Sequence, residues 1–157
     1  MAKDNRKQIE QLEKQTLKTY FGYDTFRPGQ EVIVEHILAG RDVLAVMPTG
    51  AGKSLCYQLP ALLLPGITVV VSPLISLMMD QVKALNEAGV HAAYINSSLT
   101  ESQIARALEL AKAGQYKIIY VAPERLETSR FLDFACHTEL SMITVDEAHC
   151  ISQWGQD

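Results

Sequence analysis

No Cys-x-x-Cys pair occurs, and the three cysteines, Cys56, Cys136 and Cys150, stand far apart. That spacing argues against a disulfide framework or a zinc site and reads as buried, reduced thiols. Met1–Lys7 is charged and leads into no apolar stretch, so no signal peptide is read. Positive charge is also short: 14 Lys and Arg face 18 Asp and Glu, a net −4 at pH 7. No bulk positive field exists to hold nucleic acid, and any such contact must come from a local site. Internal repeats and low-complexity tracts are absent. The uncharged stretch Leu55–Met79 is long enough to span a bilayer, but Pro60, Pro65, Gly66 and Pro73 break it and Gln58 sits inside. It reads as helix, turn, strand and turn, not as a membrane span.

What remains is one globular domain's worth of chain: 157 residues, 48% hydrophobic and 20% charged. Ile9, Leu12, Leu17 and Tyr20 recur at roughly helical spacing over residues 6–20. A second helix is expected from about Pro28, with Gly40 as its stop. Five short apolar runs follow: Val43–Met47, Ile67–Val71, His91–Ile95, Lys117–Val121 and Met142–Val145. They read as buried strands because helical segments separate them, at about Ser54–Leu63, Leu74–Ala88, Thr100–Ala113 and Ser129–Cys136. Thr100 and Gln103 form a capping-box pattern, Gly114 follows that helix, and Pro60 should kink or shorten the first one. Strands alternating with helices predict an α/β fold, a parallel sheet with helices on both faces.

The most informative stretch is Val43-Leu-Ala-Val-Met-Pro-Thr-Gly-Ala-Gly-Lys-Ser54. Strand, small-residue loop and helix are the parts a phosphate site needs. Small residues let backbone N–H groups approach an anion, and the helix adds unpaired N–H groups and its positive dipole end. Thr49, Gly50, Ala51 and Gly52 would form the loop, Lys53 would reach the β- and γ-phosphates, and the Ser54 hydroxyl would ligate Mg²⁺. The strict pattern wants glycine where Met47 stands, so a plain turn with a solvated lysine is the alternative.

Met142-Ile-Thr-Val-Asp-Glu-Ala-His149 is an apolar run ending in two acids. At the carboxyl end of a parallel strand, where ligands of such sheets gather, Asp146 would hold Mg²⁺ through water. Glu147 would orient or deprotonate an attacking water, and both acids would then share the sheet edge that carries Lys53. An ordinary acid pair opening a helix is the alternative.

Asp146-Glu-Ala-His149 with the phosphate loop resembles the DEAD/DEAH-type helicases, and the flanking motifs narrow the resemblance to RecQ DNA helicases. Phe21-Gly-Tyr-Asp-Thr-Phe-Arg-Pro-Gly-Gln30 is similar to that family's adenine-recognition motif. Val69–Gln81, Tyr120–Leu126 and Cys150–Gly155 resemble its later motifs, in family order. The resemblance implies a RecA-like P-loop NTPase lobe that uses ATP and Mg²⁺ to drive 3′→5′ unwinding of DNA in recombination and repair. Tyr23 and Arg27 would sandwich adenine, and Gln30 would bond its edge through donor and acceptor. Ordinary packing for Tyr23 and a solvated helix position for Gln30 are the alternatives. His149, with Gln153 and Trp154, would couple the nucleotide site to single-stranded or partly duplex DNA, and Trp154 could stack on a base or sit in a core. Ser72 and Ser76 would meet DNA phosphates. Arg125 would do likewise or form an intradomain salt bridge. His36, His91 and His137 receive no role.

The expected organisation is residues 1–40 as helices with the adenine motif and 41–157 as an incomplete first lobe. The family's second RecA-like lobe, with its arginine finger, is not in the sequence, and neither is the strand that would insert between the phosphate-loop and acid strands. A sheet without an inner strand leaves backbone groups unpaired, so a fragment inactive in unwinding alone, marginally stable or self-associating, is expected. Other readings are a different nucleic-acid-dependent P-loop ATPase or a nucleotide- or DNA-binding fragment without turnover. Absent targeting signals and the family suggest a cytoplasmic, nucleoid-associated protein.

Overall fold

A computed structural model describes residues 2–48 and 52–148. Its backbone groups into two units, Met1–Leu64 and Pro65–Asp157.

The first unit is helical. Helix α1 (Ala2–Thr16) passes into a π-helical turn, Leu17–Phe21, which ends at Gly22. There φ is 76°, a left-handed conformation that glycine adopts at little cost, and the Gly22 N–H donates to the Lys18 carbonyl. Helix α2 (Gln30–Leu38) starts two residues after Pro28, which lies instead in the turn that precedes it. Helix α3 (Leu55–Leu63) tolerates Pro60 but runs less than one turn past it. Leu17, Val34, Leu55 and Leu59 form the core, with Phe21 and Phe26 packed against them.

Two expectations fail in this unit. Of the apolar positions expected to mark the first helix, only Leu17 is buried: Ile9 and Leu12 are each 49% exposed and Tyr20 is 37% exposed, whereas Glu13 and Thr16 are buried. The run Val43–Met47 forms no strand, and Leu44 and Val46 are 86% and 92% exposed. An extended apolar segment becomes a strand only when a neighbour takes its N–H and C=O groups, and no described strand pairs with it.

The second unit is a four-stranded parallel sheet in the order β2-β3-β1-β4. Its elements are β1 (Ile67–Val71), α4 (Ile75–Glu87), β2 (Ala92–Ile95), α5 (Glu101–Lys112), β3 (Ile118–Val121), α6 (Ser129–Cys136) and β4 (Leu140–Val145). Four of the five expected strands therefore form. Val69, Val71, Ile119 and Val121 on one face pack with Ile104 and Leu108 of α5 and Phe131 and Phe134 of α6. Val70, Ile118 and Tyr120 on the other face are also buried, and α4 lies against β2. Both capping-box hydrogen bonds of Thr100 and Gln103 are made.

The edge strand β4 was expected to be buried, but Ile143 is 65% and Val145 40% exposed. It has one described neighbour, β1, and a register shift opposite Ile67 and Thr68 bends its start. Of the thiols, Cys56 is buried as expected, Cys136 is exposed and Cys150 lies outside the described residues.

Candidate functional site

In the first unit the candidate residues converge on Gln30. The turn after Arg27 brings the Gln30 N–H to the Arg27 carbonyl at 3.1 Å, while the Arg27 N–H donates to Gln30 Oε1 at 2.8 Å. Gln30 Nε2 donates to the Gly52 carbonyl at 3.1 Å, across 22 positions of sequence. Gln30 is 3% exposed, so it is neither a solvated helix residue nor an open amide. Gly52 has φ 75°, and a Cβ there would collide with Gln30 Nε2 and lie 3.8 Å from Arg27 Nη1. Glycine at 52 suits its left-handed backbone, and a side chain there would have to displace the Gln30 amide. Tyr23 is 50% exposed.

A groove of about 540 Å³ lies beside these residues, lined by Arg27, Pro28, Ile33, Leu44, Val46 and Met47 among others. Its size suits a small ligand, and its walls are mostly apolar with one cation. Lys53 and Ser54 directly precede α3, and the Ser54 carbonyl accepts from the Gln58 N–H at 2.9 Å. Cys56 Sγ lies 3.8 Å from both Met47 Sδ and the Gly52 carbonyl, and burial pushes its thiol pKa up. Thr49, Gly50 and Ala51 lie outside the described residues.

In the second unit the carboxyl ends of three parallel strands lie side by side. The Ser72 N–H donates to the Val121 carbonyl at 3.1 Å and the Asp146 N–H to the Val71 carbonyl at 2.9 Å. Asp146 therefore stands where β4 leaves the sheet, and its Oδ1 accepts from the Glu147 N–H at 3.0 Å. Glu147 has φ 56°, unusual for a non-glycine residue; such strain tends to cluster where a side chain must be aimed. Ser72 is buried, and its hydroxyl accepts from the Leu74 N–H at 3.3 Å, building the turn into α4. Ser76 is exposed on the first turn of α4. Arg125 forms a salt bridge with Glu101 at 3.1 Å, the intradomain alternative. His149, Gln153 and Trp154 lie outside the described residues.

The strand expected to carry Lys53 to the sheet edge is not formed. Sequence reasoning also missed Glu13, which is buried close to Glu31 and Glu35. The only signal in the spacing was Leu17, four residues on and fully buried.

A four-stranded parallel sheet covered by helices, with an acid pair at the end of one strand, defines an α/β protein of RecA-like type. The chain belongs to the DEAD/DEAH box helicase family, whose profile matches residues 27–157. It is 50% identical over 142 residues to the ATP-dependent DNA helicase RecQ of Bacillus subtilis, covering 90% of this chain and 24% of that protein. It is likewise 50% identical over 141 residues to the ATP-dependent DNA helicase RecQ of Haemophilus influenzae, covering 90% and 23%. The probable ATP-dependent DNA helicase RecS of Bacillus subtilis is 46% identical over 145 residues, 92% of this chain and 29% of that protein. The chain thus spans about a quarter of the length of the curated relatives it matches. Among the described residues, no helix is long and apolar enough to cross a membrane.

Proposed function

We propose that the chain is the ATP-binding part of the first motor lobe of an ATP-dependent 3′→5′ DNA helicase of RecQ type. Residues 1–40 supply the adenine-recognition helices, and 41–157 belong to the lobe itself. The observation that carries this reading is the tie from Gln30 to Gly52, which joins the adenine motif to the phosphate loop.

The residues fit ATP and Mg²⁺. The groove beside Arg27, of about 540 Å³, falls within the size range of small-ligand sites. Tyr23 and Arg27 hold the adenine faces and Gln30 its edge. Thr49, Gly50, Ala51 and Gly52 present backbone N–H groups to phosphate, and Lys53 neutralises phosphate charge. Ser54 and Asp146 offer hard oxygen donors for Mg²⁺, and Glu147 positions a water. When bound, the nucleotide supplies the phosphoanhydride bond whose cleavage drives movement. Because Gln30 already spends its amide on Arg27 and Gly52, adenine competes for that amide, and its arrival is relayed to the phosphate loop.

DNA would be met by Ser76, with Ser72 shaping the turn that presents it, and by His149, Gln153 and Trp154. In the whole enzyme a second RecA-like lobe completes the ATP cleft, and the protein works in the cytoplasm on the nucleoid. The exposed Val43–Met47 run favours a second reading for this stretch taken by itself: nucleotide binding without turnover, with self-association through unpaired backbone.

The test is calorimetric titration of Mg-ADP into the purified chain, with Lys53→Ala alongside. Binding that the variant loses supports the reading. A folded chain that binds no nucleotide overturns it for this stretch. Turnover that disappears in Glu147→Gln would overturn the second reading.

A further inference from the structure

Helices α1 and α2 bring three carboxylates together outside the phosphate loop. One oxygen each from Glu13, Glu31 and Glu35 lies within 4.8 Å of the other two. Glu31 and Glu35 are four apart on α2 and so share one face, with Glu13 facing them from α1. A surface cluster of acids means little, but this one has a buried member. Glu13 is 1% exposed, and neither of its carboxylate oxygens has a hydrogen-bond partner. No ion pair joins any of the three acids to a basic side chain among the described residues.

A buried carboxylate without a donor is strongly destabilising, and two neighbouring like charges increase that cost. Something must neutralise it. A proton can serve one oxygen only. A cation between the helices would satisfy all three acids at once, and an oxygen-only donor set selects hard ions over zinc or copper.

We propose that Glu13, Glu31 and Glu35 form a binding site for a hard divalent cation of the Mg²⁺, Mn²⁺ or Ca²⁺ class, clamping α1 to α2. Consistent with an uncompensated site, burial and the charges of Glu35, Glu31 and Glu10 push the Glu13 carboxyl up to about 7, against a lowering by Lys14. Glu31 follows Gln30 directly, so the cation would also brace the start of the helix that holds the adenine motif.

The experiment is titration of Mn²⁺ into the nucleotide-free full chain, read by the electron paramagnetic resonance of free ion. A Ser54→Ala background keeps the phosphate-loop hydroxyl out of the measurement. The expected result is one bound Mn²⁺ per chain, retained in Ser54→Ala, displaced by Ca²⁺ or Mg²⁺, and lost in Glu31→Gln/Glu35→Gln with the circular dichroism unchanged. Should that double variant misfold, Glu13→Gln is the second variant, and it too must lose the ion. Absence of binding in the unaltered chain, binding that survives Glu13→Gln or the double variant, or binding abolished by Ser54→Ala would each overturn the proposal. A cluster neutralised by protons alone gives the first of these outcomes.

Discussion

The side-chain amide of Gln30 donates to the Gly52 carbonyl at 3.1 Å while its carbonyl accepts from the Arg27 N–H at 2.8 Å. One side chain thus fixes both the turn before α2 and the loop before α3. A Cβ at position 52 would have to push that amide aside.

Gly52→Ala should therefore fail for two reasons: collision with Gln30, and a positive φ that costs an L-residue about 1–2 kcal/mol. A lower thermal midpoint together with loss of Mg-ADP affinity by calorimetry is expected. Gln30→Ala releases the loop without strain, so it should keep most of the stability and lose the preference for adenine over guanine nucleotides. Equal affinity losses for both nucleotides would show that the amide serves only the loop.

The buried Glu13 predicts an inverted pH profile in chelator-treated protein. Its carboxyl titrates near 7 in the folded state against an ordinary 4.5. The folded state therefore holds the proton more tightly than the unfolded one. That stabilisation is complete below about 4.5 and is lost as pH rises through about 7, a swing on the order of 3 kcal/mol at most. Urea denaturation at pH 5 and pH 8 should find the chain more stable at the lower value. Glu13→Gln should flatten the curve and raise stability at pH 8.

Among the described glycines of the second unit, Gly66 leaves the least room for a side chain. Its φ is 72°, and a Cβ would lie 2.6 Å from the Glu139 carbonyl and 2.9 Å from Ser141 Oγ. The same turn lets Lys117 Nζ donate to the Gly66 carbonyl at 3.0 Å, and burial lowers the pKa of that lysine. Gly66→Ala should cost about 2–3 kcal/mol in urea denaturation, since strained positive φ and backbone collision add. An unchanged midpoint would mean that the β1–β4 edge adjusts freely.

Thr100→Ala removes the side-chain half of a complete capping box on α5. A loss of about 1 kcal/mol is expected by chemical denaturation. Gln103→Ala should cost less, because it frees one exposed N–H that water can satisfy.

Leu44 and Val46 predict the behaviour of the chain in solution. Two large apolar side chains, 86% and 92% exposed, favour association between copies. Sedimentation velocity should find a concentration-dependent species that Leu44→Lys/Val46→Lys reduces. A monomer with a concentration-independent melt would remove self-association from the account.

Sequence alone determined the motifs, their order, the helices and the four strands that form. Local rules decide these: capping at Thr100, the breaks at Gly40 and Gly114, and β-branched runs such as Ile67–Val71. Tertiary structure decided the rest, because those features depend on neighbours. Val43–Met47 has the composition of a strand but no paired neighbour among the described residues, so its backbone has no ladder to join. β4 forms yet stays half-exposed because it has one described neighbour. Only the packing of α1 against α2 buries Glu13 beside Glu31 and Glu35. Gln30 stood out in the sequence as a candidate adenine contact, but its engagement with Gly52 did not. Residue type reveals what a side chain can bond; packing decides which partner arrives first.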